Sequence, residues 1–203
     1  MQLLLGTSNA AKVARLRHFL RDLPLELLSG REMASGLGVR ETGSSPEENA
    51  RIKAAAYFEA TSVPSLADDV ALEIDGIQAD DQPGVRVRRI GDSVNAASDS
   101  EMINHYSAVL KSLGGESRGV WTVGIALATK SGTRSQTLCS ATTFVARASS
   151  TVVAGHPLMS LQIDPGSGRY LTEMTNEELD ALQGERATGV ASFVREWMEF
   201  AEP

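Results

Sequence analysis

Hydrophobic positions along the chain fall into short runs and helical repeats, and the points where one gives way to the other mark the elements. Gln2 to Leu5 is a short run of the buried-strand type, broken by Gly6-Thr7-Ser8-Asn9 and followed by Val13, Leu16, Phe19 and Leu20 at helical spacing. Leu25 to Val39 holds a further short strand candidate and a Gly-rich loop. Ser45 before Pro46, with Glu48 three residues after Ser45, is a helix start of the capping-box type, and the helix runs on through Ile52, Ala55, Ala56 and Phe58. Val63 to Ala67 predicts a buried strand that ends at Asp68-Asp69, before an alternating segment, Val70 to Asp75.

The second half continues in the same manner. Ser98-Asp99-Ser100-Glu101 opens a helix with Met102, Ile103, Tyr106, Val109, Leu110 and Leu113 inward. Gly119 to Thr129 and Ser135 to Val145 predict long antiparallel strands joined by Lys130-Ser131-Gly132. A third short strand is expected over Thr151 to Ala154, then a loop from His156 to Tyr170. Thr175-Asn176-Glu177-Glu178 starts a helix, and Val190, Phe193, Val194 and Trp197 line the core face of the last one.

The 203 residues, 42% hydrophobic, suit one large domain or two associated lobes. A net charge of -7 leaves no overall basic footprint for duplex nucleic acid, so a nucleotide would have to be met by a local cluster. The single Cys139 rules out an intramolecular disulfide framework and a cysteine-rich metal site. The apolar start, Met1 to Gly6, is too short for a signal peptide, and no apolar stretch approaches the roughly 20 residues of a membrane span. A soluble, cytoplasmic protein is the expectation.

Three stretches carry candidate chemistry. The turn Thr7-Ser8-Asn9 opens a helix, where backbone N–H groups and the dipole favour an anion, and Lys12 adds a positive charge one turn in; an ordinary N-cap beside a solvated lysine is the plain alternative. No Gly-rich Walker pattern is present. Asn49 and Lys53 lie about one turn apart on one helix face. Asp68 and Asp69, adjacent where a strand ends, point to opposite faces and cannot both serve one site unless the backbone bends there, so one is the reagent and the other its support. Carboxylates so placed suit a hard cation such as Mg2+, while a plain polar turn would also explain them.

These residues together resemble the Ham1 family, the inosine triphosphate or non-canonical purine nucleoside triphosphate pyrophosphatases. The resemblance is carried by Thr7-Ser8-Asn9-Ala10-Ala11-Lys12, by Glu41-Thr42-Gly43 with Glu48-Asn49-Ala50 and Lys53, by Ala67-Asp68-Asp69 with Leu72-Glu73, and by Pro83-Gly84-Val85 with Arg89. It covers about Gln2 to Ile90. It implies an elongated α/β fold, a single domain over residues 1–203 with a central mixed sheet flanked by helices, two lobes and a cleft between them, and a homodimer. It further implies Mg2+-dependent cleavage of a nucleoside triphosphate to the monophosphate and pyrophosphate. Asp69 then binds the metal and activates water with Asp68 in support, Thr7 to Lys12 and Lys53 hold the phosphates, and the Val70 backbone N–H and Arg89 join them.

The chain also departs from the family. Arg40-Glu41 stands where two acidic residues are usual, so that either Glu41 takes over the metal or Arg40 contacts phosphate. Val70-Ala71 replaces Ser-Gly after Asp69. His156-Pro157-Leu158-Met159-Ser160 falls where an aromatic-Gly-Tyr-Asp-Pro loop stacks on the base, leaving His156 as a stacking candidate. Leu179 and Gln183-Gly184-Glu185 fall where a lysine and Ser-His-Arg are expected, with Arg186 one position away as a substitute. Selectivity for inosine or xanthine therefore does not carry over by resemblance. Two further readings stay open, a weak or inactive relative that binds a nucleotide and a hydrolase of a different modified nucleotide. Arg86, Arg88 and Arg89 are read as alternating, with Arg86 and Arg88 on one face.

Overall fold

A computed structural model describes residues 1–91 and 95–200. Six strands form one mixed sheet in the order β2-β1-β3-β4-β5-β6, flanked by helices. Strand β1 (Gln2–Leu5) pairs in parallel with β2 (Glu26–Ser29) and with β3 (Ser65–Ile74), and helix α1 (Ala10–Phe19) connects the first two. The short α2 (Gly30–Met33) follows β2, and α3 (Pro46–Thr61) leads into β3. Then come α4 (Asp99–Ser112), the long strands β4 (Glu116–Thr129) and β5 (Gly132–Val145), the two-residue β6 (Gln162–Ile163), and α5 (Asn176–Phe200). Only a two-residue connection separates β4 from β5, which an antiparallel hairpin allows and a parallel pair does not.

The chain divides into two compact units. Among the described residues, the first comprises 1–70, 122–138 and 185–200, the second 71–91, 95–121 and 139–184. The first unit has two layers of core. Leu3 and Leu5 of β1, Leu66 of β3, and Val123, Ile125 and Leu127 of β4 pack with Val13 and Leu16 of α1 and with Val190, Phe193, Val194 and Trp197 of α5. On the alternate face, Ala67, Ala126 and Ala128 meet Ala50 and Ala54 of α3. Residues this small let the helix axis come close to the sheet. Gly124, on the same face, completes the contact, since a Cβ there would stand 2.3 Å from the Glu47 nitrogen. The second unit packs Leu72, Ile74, Val87, Phe144, Leu158 and Leu161 around Met102, Tyr106 and Leu110 of α4.

The Ser45 and Ser98 helix starts read from the sequence are both capped. Ser98 Oγ accepts the Glu101 N–H while Glu101 returns a bond to the Ser98 N–H, a complete capping box. Ser45 Oγ accepts the Glu48 N–H, but the Glu48 carboxylate reaches Ser44 instead, taking its N–H and its hydroxyl.

Five expectations need correction. Strand β3 does not stop at the carboxylates; it runs through Asp68 and Asp69 to Ile74, because buried partners on each face satisfy both charges inside the strand. Thr151 to Ala154 forms no strand, and the loop after His156 contains a 3-10 turn, Pro157–Leu161, and β6. The last two expected helices are one, α5, of 25 residues. Arg86 to Arg89 form a turn, closed by the Arg89 N–H on the Arg86 carbonyl, so strand alternation does not apply to them.

Candidate active site

Alternation along β3 sets the site. Leu66, Asp68 and Val70 share the face covered by α1 and α5, and Ala67 and Asp69 share the face covered by α3. The two adjacent carboxylates thus serve different helices.

On the α3 face, Asp69 is buried and accepts two bonds. Lys53 Nζ donates to Oδ1 at 2.8 Å and Asn49 Nδ2 donates to Oδ2 at 3.0 Å. The close approach of α3 over its alanine contacts lets these two side chains, one turn apart, reach a single carboxylate. Asn49 is itself buried, and its Oδ1 accepts the Gly43 N–H at 2.8 Å. One amide therefore ties the 40–43 loop to Asp69. That loop delivers Glu41, whose Oε1 lies 3.3 Å from Lys53 Nζ. Burial alone would disfavour the Lys53 charge, but Asp69 and Glu41 together outweigh it and hold its pKa above the ordinary lysine value. Glu41 Oε1 and Asp69 Oδ1 both converge on this one ammonium, so hard oxygen donors face a point where a cation is already favoured. That donor set fits Mg2+, which takes one or two carboxylates and fills its remaining positions with phosphate and water. Among the described residues no group of three or more His, Cys, Asp or Glu is placed to hold a metal ion.

On the opposite face, Asp68 is 2% exposed and Oδ2 receives Arg15 Nη2 at 2.8 Å and Lys12 Nζ at 3.3 Å. Lys12 also donates to the Asp68 carbonyl at 3.2 Å. Burial would raise the Asp68 pKa, yet Lys12 and Arg15 hold it far below the usual carboxylate range. Burial lowers the Lys12 pKa, with Asp68 opposing and Lys53 and Arg15 reinforcing. Arg186, on α5, stands near the same group. Burial, with Arg15 alongside, pushes its guanidinium down to about 9 against the pull of Asp68, which leaves it charged at neutral pH.

Thr7 is buried and its Oγ1 accepts the Asn9 N–H at 3.2 Å, whereas Ser8 is exposed. Asn9 is the N-cap of α1, and its Oδ1 accepts the Ala11 and Lys12 N–H groups. Those two amides are satisfied within the chain, so the turn contributes Lys12 more than free N–H donors. The Val70 side chain packs against the core on the α1 face. Arg40 is exposed beside Glu41.

Arg89 and His156 belong to the second unit. Arg89 is exposed. His156 follows Gly155, whose N–H bonds Asp99 Oδ2 at 2.8 Å, and Arg88 joins the same aspartate at 3.0 Å while also donating to the Gly155 carbonyl. Arg88 is thus a structural tie in that unit. Leu179 and Gly184 start no basic cluster, and the Gln183 side chain lies outside the described residues. Of the expected residues, Lys12, Glu41, Lys53, Asp68, Asp69 and Arg186 come together in the first unit, and Asn49 joins them. Arg15 was not anticipated. Its signal was its place three residues after Lys12, on the same face of α1.

A mixed sheet flanked by helices is an α/β architecture shared with solved Ham1 structures. The Ham1 protein of Coxiella burnetii matches with a TM-score of 0.74 at 24% identity, covering 97% of this chain and 99% of that one. The Ham1 protein of Staphylococcus aureus matches with a TM-score of 0.72 at 19% identity, covering both chains fully. The chain belongs to the Ham1 family, whose model matches residues 3–147. Among curated relatives, the dITP/XTP pyrophosphatase of Leptospira interrogans is 38% identical over 90 residues, 44% of this chain and 45% of that protein. That of C. burnetii is 29% identical over 147 residues, 62% of this chain and 72% of that protein. The match to the Leptospira relative thus spans about half of its length.

Proposed function

We propose that the protein is a nucleoside triphosphate pyrophosphatase, hydrolysing a non-canonical purine substrate of the dITP or XTP class to the monophosphate and pyrophosphate. The observation that carries this reading is Asp69, buried and held from two sides by Lys53 and Asn49, with Glu41 on the same ammonium. In the reaction a water oxygen attacks the α phosphorus, Asp69 accepts the proton the water gives up, and the bond to the α–β bridging oxygen breaks as pyrophosphate leaves. A carboxylate offers about four lone-pair sites, so the two bonds that Asp69 accepts leave room for that water. Lys12 and Lys53 neutralise charge on the phosphate chain, and such contacts gain strength in a site this buried. Glu41 and Asp69 would hold Mg2+, which supplies further neutralisation at the phosphate oxygens. Asn49 keeps Asp69 in one rotamer and the Glu41 loop beside it.

The relatives named dITP/XTP pyrophosphatase support the substrate class. The test is pyrophosphate release, with and without Mg2+, from canonical and deaminated nucleoside triphosphates. Mg2+-dependent release with a preference for deaminated purines is expected. A second reading, a relative that binds a nucleotide without turnover, is favoured by one observation: both Asp69 oxygens already accept bonds from Asn49 and Lys53. Binding of a triphosphate with no release under any condition would select it.

A further inference from the structure

The α1–α5 face of β3 carries more positive charge than the reaction outlined above uses. Lys12 and Arg15 both hold one carboxylate, Asp68, and the Arg186 charge acts on the same group. Surplus charge in a partly buried site is costly unless an opposite charge meets it. The hydrogen bonding shows the same shortfall. Arg15 gives Nη2 to Asp68, but its Nε is buried with no partner. Arg186 Nε is likewise buried with no partner, as is Asp68 Oδ1. Two guanidinium groups, each with a donor unfilled, act on one carboxylate that is already shared between Arg15 and Lys12. Guanidinium forks match phosphate oxygens in a bidentate manner, which an ammonium does not.

We propose that Arg15 and Arg186, together with Lys12, form a subsite for one phosphate group of the polyphosphate chain, with Asp68 as the positioning residue that aims the three cations. This assigns Arg186 to phosphate and not to the base. It rests on the reading that the protein binds a nucleoside triphosphate, and it adds a gripping face to the α3 face where Asp69 acts. Arg15 and Arg186 are supplied by α1 and α5, whose Leu16, Val190 and Phe193 belong to one hydrophobic core on this face of the sheet. The two guanidinium groups are therefore held by one core and need no loop to close.

The test is calorimetric binding of inorganic tripolyphosphate to the full-length protein, for wild type, Arg15→Gln, Arg186→Gln and Arg186→Lys, with KM and kcat measured for the best nucleoside triphosphate. Loss of one charge-assisted contact predicts tripolyphosphate binding about 10- to 100-fold weaker in each Gln variant, with KM rising more than kcat falls. Arg186→Lys should recover part of the loss, and a melting curve separates misfolding from weakened binding. Should Arg186→Gln fail to fold, Arg15→Gln decides alone. Unchanged tripolyphosphate affinity in folded Gln variants, with wild type binding and hydrolysing nucleotides, overturns the subsite and leaves the pyrophosphatase reading intact. Equal tripolyphosphate affinity with altered discrimination between purine bases also overturns it, by returning Arg186 to the base. A wild type that binds neither tripolyphosphate nor any nucleoside triphosphate defeats both readings.

Discussion

Asp68 and Asp69 are neighbours on one strand yet belong to different helices. Asp68 is held by Arg15 and Lys12 of α1, and Asp69 by Lys53 and Asn49 of α3. A single peptide unit separates two charge networks that face opposite ways. The consequences of that separation can be measured one side at a time.

Asp69→Asn should reduce turnover by about 100- to 1000-fold, the scale for losing one preorganised electrostatic contact at the reacting centre. Asn is nearly isosteric, and Glu41 remains beside Lys53. The variant should therefore fold and bind nucleotide while releasing almost no pyrophosphate in single-turnover assays. Near wild-type turnover would remove Asp69 from the role of base.

Asn49→Ala should destabilise the protein by about 1–3 kcal/mol, since it leaves the Gly43 N–H and one Asp69 oxygen without their partner. Because the same amide holds the Glu41 loop, the Mg2+ concentration for half-maximal activity should rise too. Denaturant unfolding and a metal titration check the two halves.

Asp68→Asn should cost about 3–5 kcal/mol at neutral pH, the range for breaking a buried pair and leaving its partners unneutralised. The pH dependence has a definite sign. The folded pKa of Asp68 is depressed from the ordinary aspartate value of 3.8, so its contribution is present above that value and is lost as pH falls below it. The stability gap between wild type and Asp68→Asn should thus be flat from pH 7 to about 5 and narrow toward pH 3. Urea unfolding across that range is the measurement, and a gap that widens in acid would contradict the assignment.

Gly124→Ala tests the mounting of α3. The added Cβ would stand 2.3–2.4 Å from backbone atoms of Pro46 and Glu47, which have no rotamer to yield. Overpacking of this kind typically costs about 1–3 kcal/mol. Because displacement of the α3 start moves Asn49 and Lys53 away from Asp69, kcat should fall along with the melting temperature. Lost stability with full kcat would show that the helix is seated by other contacts.

Much of this was legible in the sequence where local physics decides the outcome. The β1–α1 unit, the Ser45-Pro46 start, the Ser98–Glu101 box and the β4–β5 hairpin follow from periodicity and capping chemistry, and the opposite orientation of Asp68 and Asp69 follows from strand geometry. The misreadings came where tertiary partners override local pattern. Two adjacent carboxylates look like the end of a strand until buried lysines and an arginine satisfy them within it. Arg86 to Arg89 alternate in sequence, but Pro83 and Gly84 precede them and the chain turns. Arg15 shares a face of α1 with Lys12, but nothing local to that helix announces that Asp68, 53 residues later in the chain, lies across from it.

The alternation of β3 also bears on how such a protein can change over generations. Substitutions on α1 and α5 meet Asp68, and those on α3 meet Asp69, with the backbone of one strand as the partition. Lineages can therefore retune the grip on a ligand from one side while the reacting carboxylate on the other side keeps its neighbours. An inventor of new specificities could not ask for a more convenient wall between two workshops.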